Sequence, residues 1–76
     1  MNEKRRKRLR EAIGHLDRAR DIVQDCGMEE REAYENLPET IQWTERGESM
    51  EEIADSLDEA VGIIEEAIDL TSGAVD

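Results

Sequence analysis

Apolar residues recur at alternating intervals of three and four residues through the first half of the chain. The positions that share this spacing are Leu9, Ala12, Leu16, Ala19, Val23, Cys26, Glu30, Ala33 and Leu37. Eight of these nine positions are apolar, and the interval places them along one face of an α-helix. The pattern predicts a long first helix over about residues 3–35.

The same spacing returns in the second half of the chain. Its positions are Met50, Ile53, Leu57, Ala60, Ile64, Ala67 and Thr71. Ser49 followed by Glu52 has the spacing of a capping box, in which each side chain accepts a hydrogen bond from a backbone N–H at the helix start. Gly73 is a residue type that often ends a helix. The pattern predicts a second helix over about residues 49–72.

The connector, residues 36–48, holds the only proline of the chain, Pro38. Proline lacks a backbone N–H and clashes with the preceding helical turn, so Pro38 is suited to the start of a helix and not to its interior. Asn36 is placed to cap a short helix, and Gly47 is placed to end it in the left-handed conformation. A short third helix is predicted here.

Two amphipathic helices joined by a short connector predict an all-α fold, an antiparallel helical hairpin formed by one domain over residues 1–76. The apolar stripes are wider than one partner helix requires. The flanking apolar positions are Ile13, Ile22, Ala54, Val61, Ile63, Ile68 and Leu70. A stripe of this width usually faces more than one neighbour. We therefore expect self-association into a helical bundle, a homo-oligomer that is a dimer or larger.

Charge is distributed unevenly along the chain. Residues 1–20 carry eight Lys or Arg and three acidic residues, whereas residues 21–76 carry two Arg and eighteen acidic residues. The overall formal charge is −11. Most of such a surface would repel phosphates, so direct binding of nucleic acid is not expected. The basic N-terminal segment, residues 4–10, remains a local exception whose role the sequence does not define.

Several site types find no support in the sequence. No apolar run approaches the ~20 residues of a membrane-spanning helix, so no membrane association is expected and a cytoplasmic location is predicted. The single cysteine, Cys26, and the single histidine, His15, offer no metal-ligand cluster, and no cofactor is predicted. Carboxylate pairs on an acidic helix are typical of a solvated surface, and no nucleophile accompanies His15. The protein is therefore not expected to be an enzyme.

The connector and its edges supply the candidate binding residues. Trp43 is the only tryptophan, and its polar neighbours are Arg46, Thr40, Gln42 and Thr44, with Tyr34 at the end of the first helix. An exposed indole can anchor a partner protein or stack on a planar base. The alternative is that Trp43 packs over the mouth of the hairpin or into a subunit contact, because large aromatic side chains supply much buried area.

The segment from Asn36 to Glu48 also carries a resemblance. Its Asn-Leu-Pro-Glu run, residues 36–39, and its Glu-Arg-Gly-Glu run, residues 45–48, are similar to those of small, largely uncharacterised proteins of Gram-positive phages and mobile elements. Where those proteins have a serine after the aromatic residue, this chain has Thr44. The resemblance implies a phage or prophage origin and no established activity.

Together these features indicate a non-enzymatic oligomeric binding protein that acts by occupancy, with a host factor as its target, such as a defence protein. One mechanism uses the acidic helical surface to engage a basic host protein, as a mimic of nucleic acid. Another sequesters a small anionic, nucleotide-like ligand with Arg46 and the N-terminal arginines on its phosphate and Trp43 or Tyr34 on its base. The alternative is a structural or assembly coiled-coil protein without a ligand.

Overall fold

The computed structural model describes residues 1–76 and contains three helices and no strand. These are α1 (Glu3–Glu35), α2 (Glu39–Gln42) and α3 (Glu45–Val75). α1 and α3 pack against each other along their length, with the single turn of α2 between them, in a hairpin of 58 × 14 × 13 Å. The predicted all-α hairpin with a short connector helix is confirmed.

α1 occupies the range that the sequence pattern predicts. At its start, the side chain of Asn2 accepts a hydrogen bond from the backbone N–H of Arg5 at 2.9 Å. At its end, Asn36 is the C-cap, and its N–H donates to the carbonyl of Glu32. The prediction that Asn36 caps the connector helix is therefore wrong. α2 follows Pro38 with no side-chain cap, because Asn36 still belongs to the last turn of α1.

The predicted start of the second helix is wrong by one turn. α3 begins at Glu45 after Thr44, whose extended backbone makes it the N-cap, so Ser49 and Glu52 lie inside the helix and not at a capping box. Gly47 does not end the connector helix in a left-handed conformation, since no residue of the chain has a positive φ. Glu45 and Glu48 lie in the first turn, where negative charge favours the earlier start.

The predicted end of the second helix is also wrong. α3 continues through Gly73 to Val75. A glycine in a helix costs only about 1 kcal/mol relative to alanine. Val75 is only 5% exposed, so its packing holds the last turn in place.

Most of the buried and half-buried residues of α1 and α3 fall in one row on each helix, which faces the other helix. The row of α1 is Ile13, Leu16, Arg20, Val23, Gly27, Glu30 and Tyr34. The row of α3 is Ala54, Leu57, Val61, Ile64, Ile68, Thr71 and Val75. A Cβ added at Gly27 would lie 3.3 Å from Cβ of Leu57, which shows how closely the two helices approach there.

A second row on each helix lies one residue before the first and is largely exposed. On α1 its apolar members are Ala12, Ala19, Ile22, Cys26 and Ala33. On α3 they are Ile53, Ala60, Ile63, Ala67, Leu70 and Ala74. The stripe predicted from the sequence therefore divides into an internal row and an outward row, because each helix has one partner helix within the chain.

Both outward rows lie on the same side of the hairpin. One residue corresponds to a rotation of about 100° around a helix axis. Because α1 and α3 are antiparallel, the same rotation away from their contact turns both rows toward one side. We call this surface the apolar face.

The opposite side of the hairpin is polar. The positions that follow each internal row by one residue are dominated by acids, including Asp17, Asp21, Asp58, Glu65 and Asp69. We call this surface the acidic face. The hairpin thus has two sides of opposite chemical character.

The core of a single hairpin is thin. Five of the 76 residues are buried, and three of these are apolar side chains, Ala54, Val61 and Val75. Several large apolar residues stay exposed, including Ile22 at 53%, Ile63 at 60% and Leu70 at 70%. Much apolar surface is therefore still in contact with water in the single chain.

Candidate functional site

The connector is held against the end of α1 by the side chain of Gln42. Its amide nitrogen donates to the carbonyl oxygens of Tyr34 at 3.2 Å and Leu37 at 3.1 Å, with a longer contact of 3.5 Å to that of Glu35. The last carbonyls of a helix lack the usual partner inside the helix, and Gln42 supplies a further donor to this turn, where the Tyr34 carbonyl also accepts from the backbone N–H of Leu37. Gln42, predicted as a binding residue, is therefore engaged in holding the fold.

The connector also packs on the first turn of α3, and this contact requires a glycine. Gly47 is buried, and a Cβ built on it would lie 2.6 Å from the Cα and carbonyl carbon of Gln42 and closer to its carbonyl oxygen. Any larger residue would displace the backbone of the connector. The close approach of the connector backbone thus explains why residue 47 is a glycine. The sequence pattern did not reveal this contact.

Trp43 lies at the end of α2 and is 77% exposed. With Thr40 and Glu39 it lines a shallow open depression. Glu39 was not among the predicted residues, although its spacing of four from Trp43 would place the two side chains on one side of a helix. Trp43 does not pack over the hairpin mouth within one chain, whereas a subunit contact or a ligand contact remains open to it.

The other predicted residues do not join Trp43 in one cluster. The Thr44 hydroxyl donates to the carbonyl of Ile41. Arg46 is exposed in the first turn of α3 and takes part in no ion pair. Tyr34 is half-buried at the α1–α3 contact. A hydrogen bond to Glu51 raises the pKa of Tyr34 above its ordinary value, and burial adds to this shift.

The last arginine of α1 bridges the two long helices. Arg31 donates to Asp55 and to Asp58, each at 2.9 Å. The hydrogen bond to Asp55, followed by the one to Asp58, raises the pKa of Arg31 above its ordinary value. These are the only ion pairs between α1 and α3.

α3 carries most of the net negative charge of the chain. It contains ten acidic residues and one arginine, and only Asp55 and Asp58 among the ten are in ion pairs. The remaining carboxylates are exposed. Four of the acidic residues, Glu48, Glu51, Glu52 and Asp55, line a shallow depression on its first half. The exposed carboxylates of α3 therefore form a strongly acidic surface, which we call the α3 ridge.

The basic N-terminal segment lies far from the connector in the same chain. Residues 4–10 occupy the start of α1, a helix of 33 residues, and the connector follows its end. At 1.5 Å per residue these two ends are about 40 Å or more apart. One chain therefore does not bring the N-terminal arginines to Trp43 and Arg46.

The structure also bears on metal binding and on membrane crossing. No group of three or more His, Cys, Asp or Glu side chains is arranged to hold a metal ion. None of the helices combines the length and the apolar character that crossing a membrane requires. Comparison of the chain with protein-family models, curated proteins and solved structures gave no match.

Proposed function

We propose that this protein is a non-enzymatic, oligomeric helical binding protein that acts by occupying a basic surface of another protein. The α3 ridge is its binding surface, with carboxylates in the place that phosphates take in nucleic acid. The resemblance to phage proteins suggests that the target is a host factor and that binding blocks it.

The observation that carries this proposal is the separation of charge on the hairpin. α1 and α3 carry similar numbers of carboxylates, nine and ten, but α1 also carries nine Lys or Arg and α3 only one, and eight of the ten carboxylates of α3 take part in no ion pair. Carboxylates three and four residues apart on a helix are about 5–6 Å apart. Uncompensated rows of this kind attract a basic surface over a long range and orient it on approach.

Capture of an anionic ligand has less support from the geometry. Gln42 and Thr44 are engaged with backbone carbonyls. Arg46 is the only cation among residues 32–76, and the other arginines near a ligand would have to come from another chain. A protein partner of basic character is therefore the better fit.

The test is fluorescence anisotropy of a labelled peptide of twenty alternating lysine and arginine residues, titrated with the purified protein at several salt concentrations. A first variant replaces Glu52, Glu59 and Glu66 of the α3 ridge by glutamine. A matched variant replaces Glu11, Asp25 and Glu32 of α1 by the corresponding amides, so both variants lose three charges.

We expect the α3 variant to bind at least tenfold more weakly than the matched variant, and added salt to weaken binding throughout. Trp43→Ala should change the affinity little. Equal losses in the two charge variants would overturn the proposal, because net charge alone would then explain the binding. Binding of ATP that is lost in Trp43→Ala would favour ligand capture instead, and binding of neither probe would favour a structural protein.

A further inference from the structure

We infer that the apolar face is the interface of an antiparallel homodimer, in which two hairpins pack face to face with their ends reversed and form a four-helix bundle. This inference deepens the oligomeric part of the proposed function by naming the surface, the partner and the orientation. It is tested by subunit mass and crosslinking, whereas the proposed function is tested by peptide binding, so failure of one is distinguishable from failure of the other.

The apolar face is large enough for such an interface. Its rows extend from Ala12 to Ala33 on α1 and from Ile53 to Ala74 on α3, or about 32 Å along each helix. Two helices side by side present a width of about 18–20 Å. Each chain would therefore contribute roughly 600 Å², for a total near the roughly 1,200 Å² at which specific interfaces begin.

The apolar face is complementary to itself about a single two-fold axis. Ile22 is the middle position of the outward row of α1, and Ile63 is the middle position of that of α3. Gly27 and Leu57 lie opposite each other where the two antiparallel helices meet. Five residues back along α1 is Ile22, and six residues forward along α3 is Ile63, so these two isoleucines lie at the same level of the hairpin. A two-fold axis that passes between these isoleucines and their copies places each outward row against the same row of the second copy, in the opposite direction and in register.

Reversal about that axis also pairs the two polar exceptions of α1, whereas on α3 the polar Ser56 lies opposite Leu70. His15 and Glu29 are the two polar members of the outward row of α1, and each lies seven residues from Ile22. In the reversed dimer, His15 of one copy lies opposite Glu29 of the other, where imidazole and carboxylate can form a hydrogen bond. On α3, Ile53 meets the small Ala74, and Ile63 meets its own copy.

Charge selects the reversed orientation over the alternative with like ends together. The half of the hairpin formed by residues 1–20 and 61–76 has eight basic and seven acidic residues, net +1, whereas residues 21–60 have two basic and fourteen acidic residues, net −12. Like ends together would place −12 against −12. Reversed ends place each −12 half against a +1 half, which reduces repulsion.

The reversed dimer also gives the basic N-terminal segment a neighbour. Gly27 lies opposite Leu57, so Arg8, nineteen residues before Gly27, is level with Asp76, nineteen residues after Leu57. The turns of α1 that precede Arg8 therefore extend beyond the end of α3. In the dimer these turns reach the connector end of the second copy, where Glu35 and Glu39 are exposed. Basic residues of one copy thus lie beside acidic residues of the other.

The first test is native mass spectrometry over a range of protein concentrations, with Ile63→Glu compared with Met28→Glu. Ile63 and Met28 are 60% and 59% exposed, but Met28 lies outside the apolar face. We expect wild type and Met28→Glu to have twice the 8.7 kDa mass of the chain, and Ile63→Glu to be monomeric at the same concentrations. A monomeric wild type, or equal behaviour of the two variants, would overturn the inference.

The second test fixes the orientation and does not depend on a monomeric variant that folds. In a Cys26→Ser background, Ile22→Cys places one thiol next to the two-fold axis, and Met28→Cys is the matched control. We expect mild oxidation to link Ile22→Cys into a covalent dimer and to leave Met28→Cys largely unlinked. With like ends together, the two α1 helices are diagonal and their thiols are too far apart to bond. A dimer in which Ile22→Cys does not crosslink would therefore overturn the reversed arrangement.

Discussion

Replacement of Gly47 by alanine tests whether close packing of the connector holds the end of the hairpin in place. In a helix interior, alanine is favoured over glycine by about 1 kcal/mol. At position 47 that gain is opposed by the overlap between the new Cβ and the backbone of Gln42, which lies as near as 2.6 Å at Cα. The clash is with backbone, so a change of rotamer does not relieve it.

The size of the effect follows from what the displaced connector loses. The Gln42 amide has two hydrogens, and its two shorter hydrogen bonds, to the carbonyls of Tyr34 and Leu37, are each of a kind that contributes about 1 kcal/mol. Loss of both outweighs the gain in helix propensity. We expect Gly47→Ala to lower the free energy of unfolding by about 1–2 kcal/mol, and each 1 kcal/mol to lower the melting temperature by about 4–8 °C.

Gly62→Ala is the matched control, because Gly62 is also inside α3 and a Cβ there meets no atom within 4 Å. It should stabilise the protein by about 0.5–1 kcal/mol. Urea unfolding followed by circular dichroism measures both variants at one protein concentration, since association would couple stability to concentration. If Gly47→Ala is as stable as Gly62→Ala, the packing of the connector on α3 described above is incorrect.

Two further predictions concern the polar contacts between the long helices. The hydrogen bond to Glu51 raises the pKa of Tyr34 in the folded protein. The stability that this hydrogen bond contributes is therefore present below the ordinary pKa of 10.0 and is lost as the pH rises through the raised pKa of the folded state. Absorbance titration of Tyr34, the only tyrosine, should show the raised pKa, and Glu51→Ala should lower that pKa. A Tyr34 pKa that Glu51→Ala leaves unchanged would contradict the assignment of the shift to Glu51. Arg31→Ala should lower the urea midpoint at low salt more than Arg18→Ala, the control that removes an exposed and unpaired arginine. Adding 1 M NaCl should reduce the difference between the two variants. Equal midpoints at low salt would show that the Arg31 pairs contribute nothing to stability.

The errors of prediction occur where the observed packing or backbone arrangement outweighs a local signal. The start of α3 was placed at Ser49 because its capping box is a valid local signal, yet the helix begins after Thr44, which makes no side-chain cap hydrogen bond, and Gly47 in the first turn packs closely on the backbone of Gln42. Gly73 was a local stop signal, and packing of Val75 overrides it. In each case a contact between residues apart in sequence is stronger than a propensity of about 1 kcal/mol.

At the candidate site, too, the sequence revealed local features and only the structure revealed contacts across a turn. The sequence singled out Trp43 by its rarity, and the structure leaves it exposed beside Thr40 and Glu39. It could not show that Gln42 is engaged with three carbonyls, because those carbonyls come from residues five to eight positions earlier, across a turn. Nor could it show that the N-terminal arginines and Trp43 are at opposite ends of one long helix pair.

By itself, the sequence determined the two long helices, the break at Pro38, the uneven charge and an excess of apolar positions over what one partner helix can cover. These are local or compositional properties, and helical periodicity makes them readable. Only the tertiary structure decided which apolar positions face the other helix and which face outward. That choice depends on the relative rotation of two packed helices, and a shift of one residue, about 100°, exchanges an internal row for an exposed one.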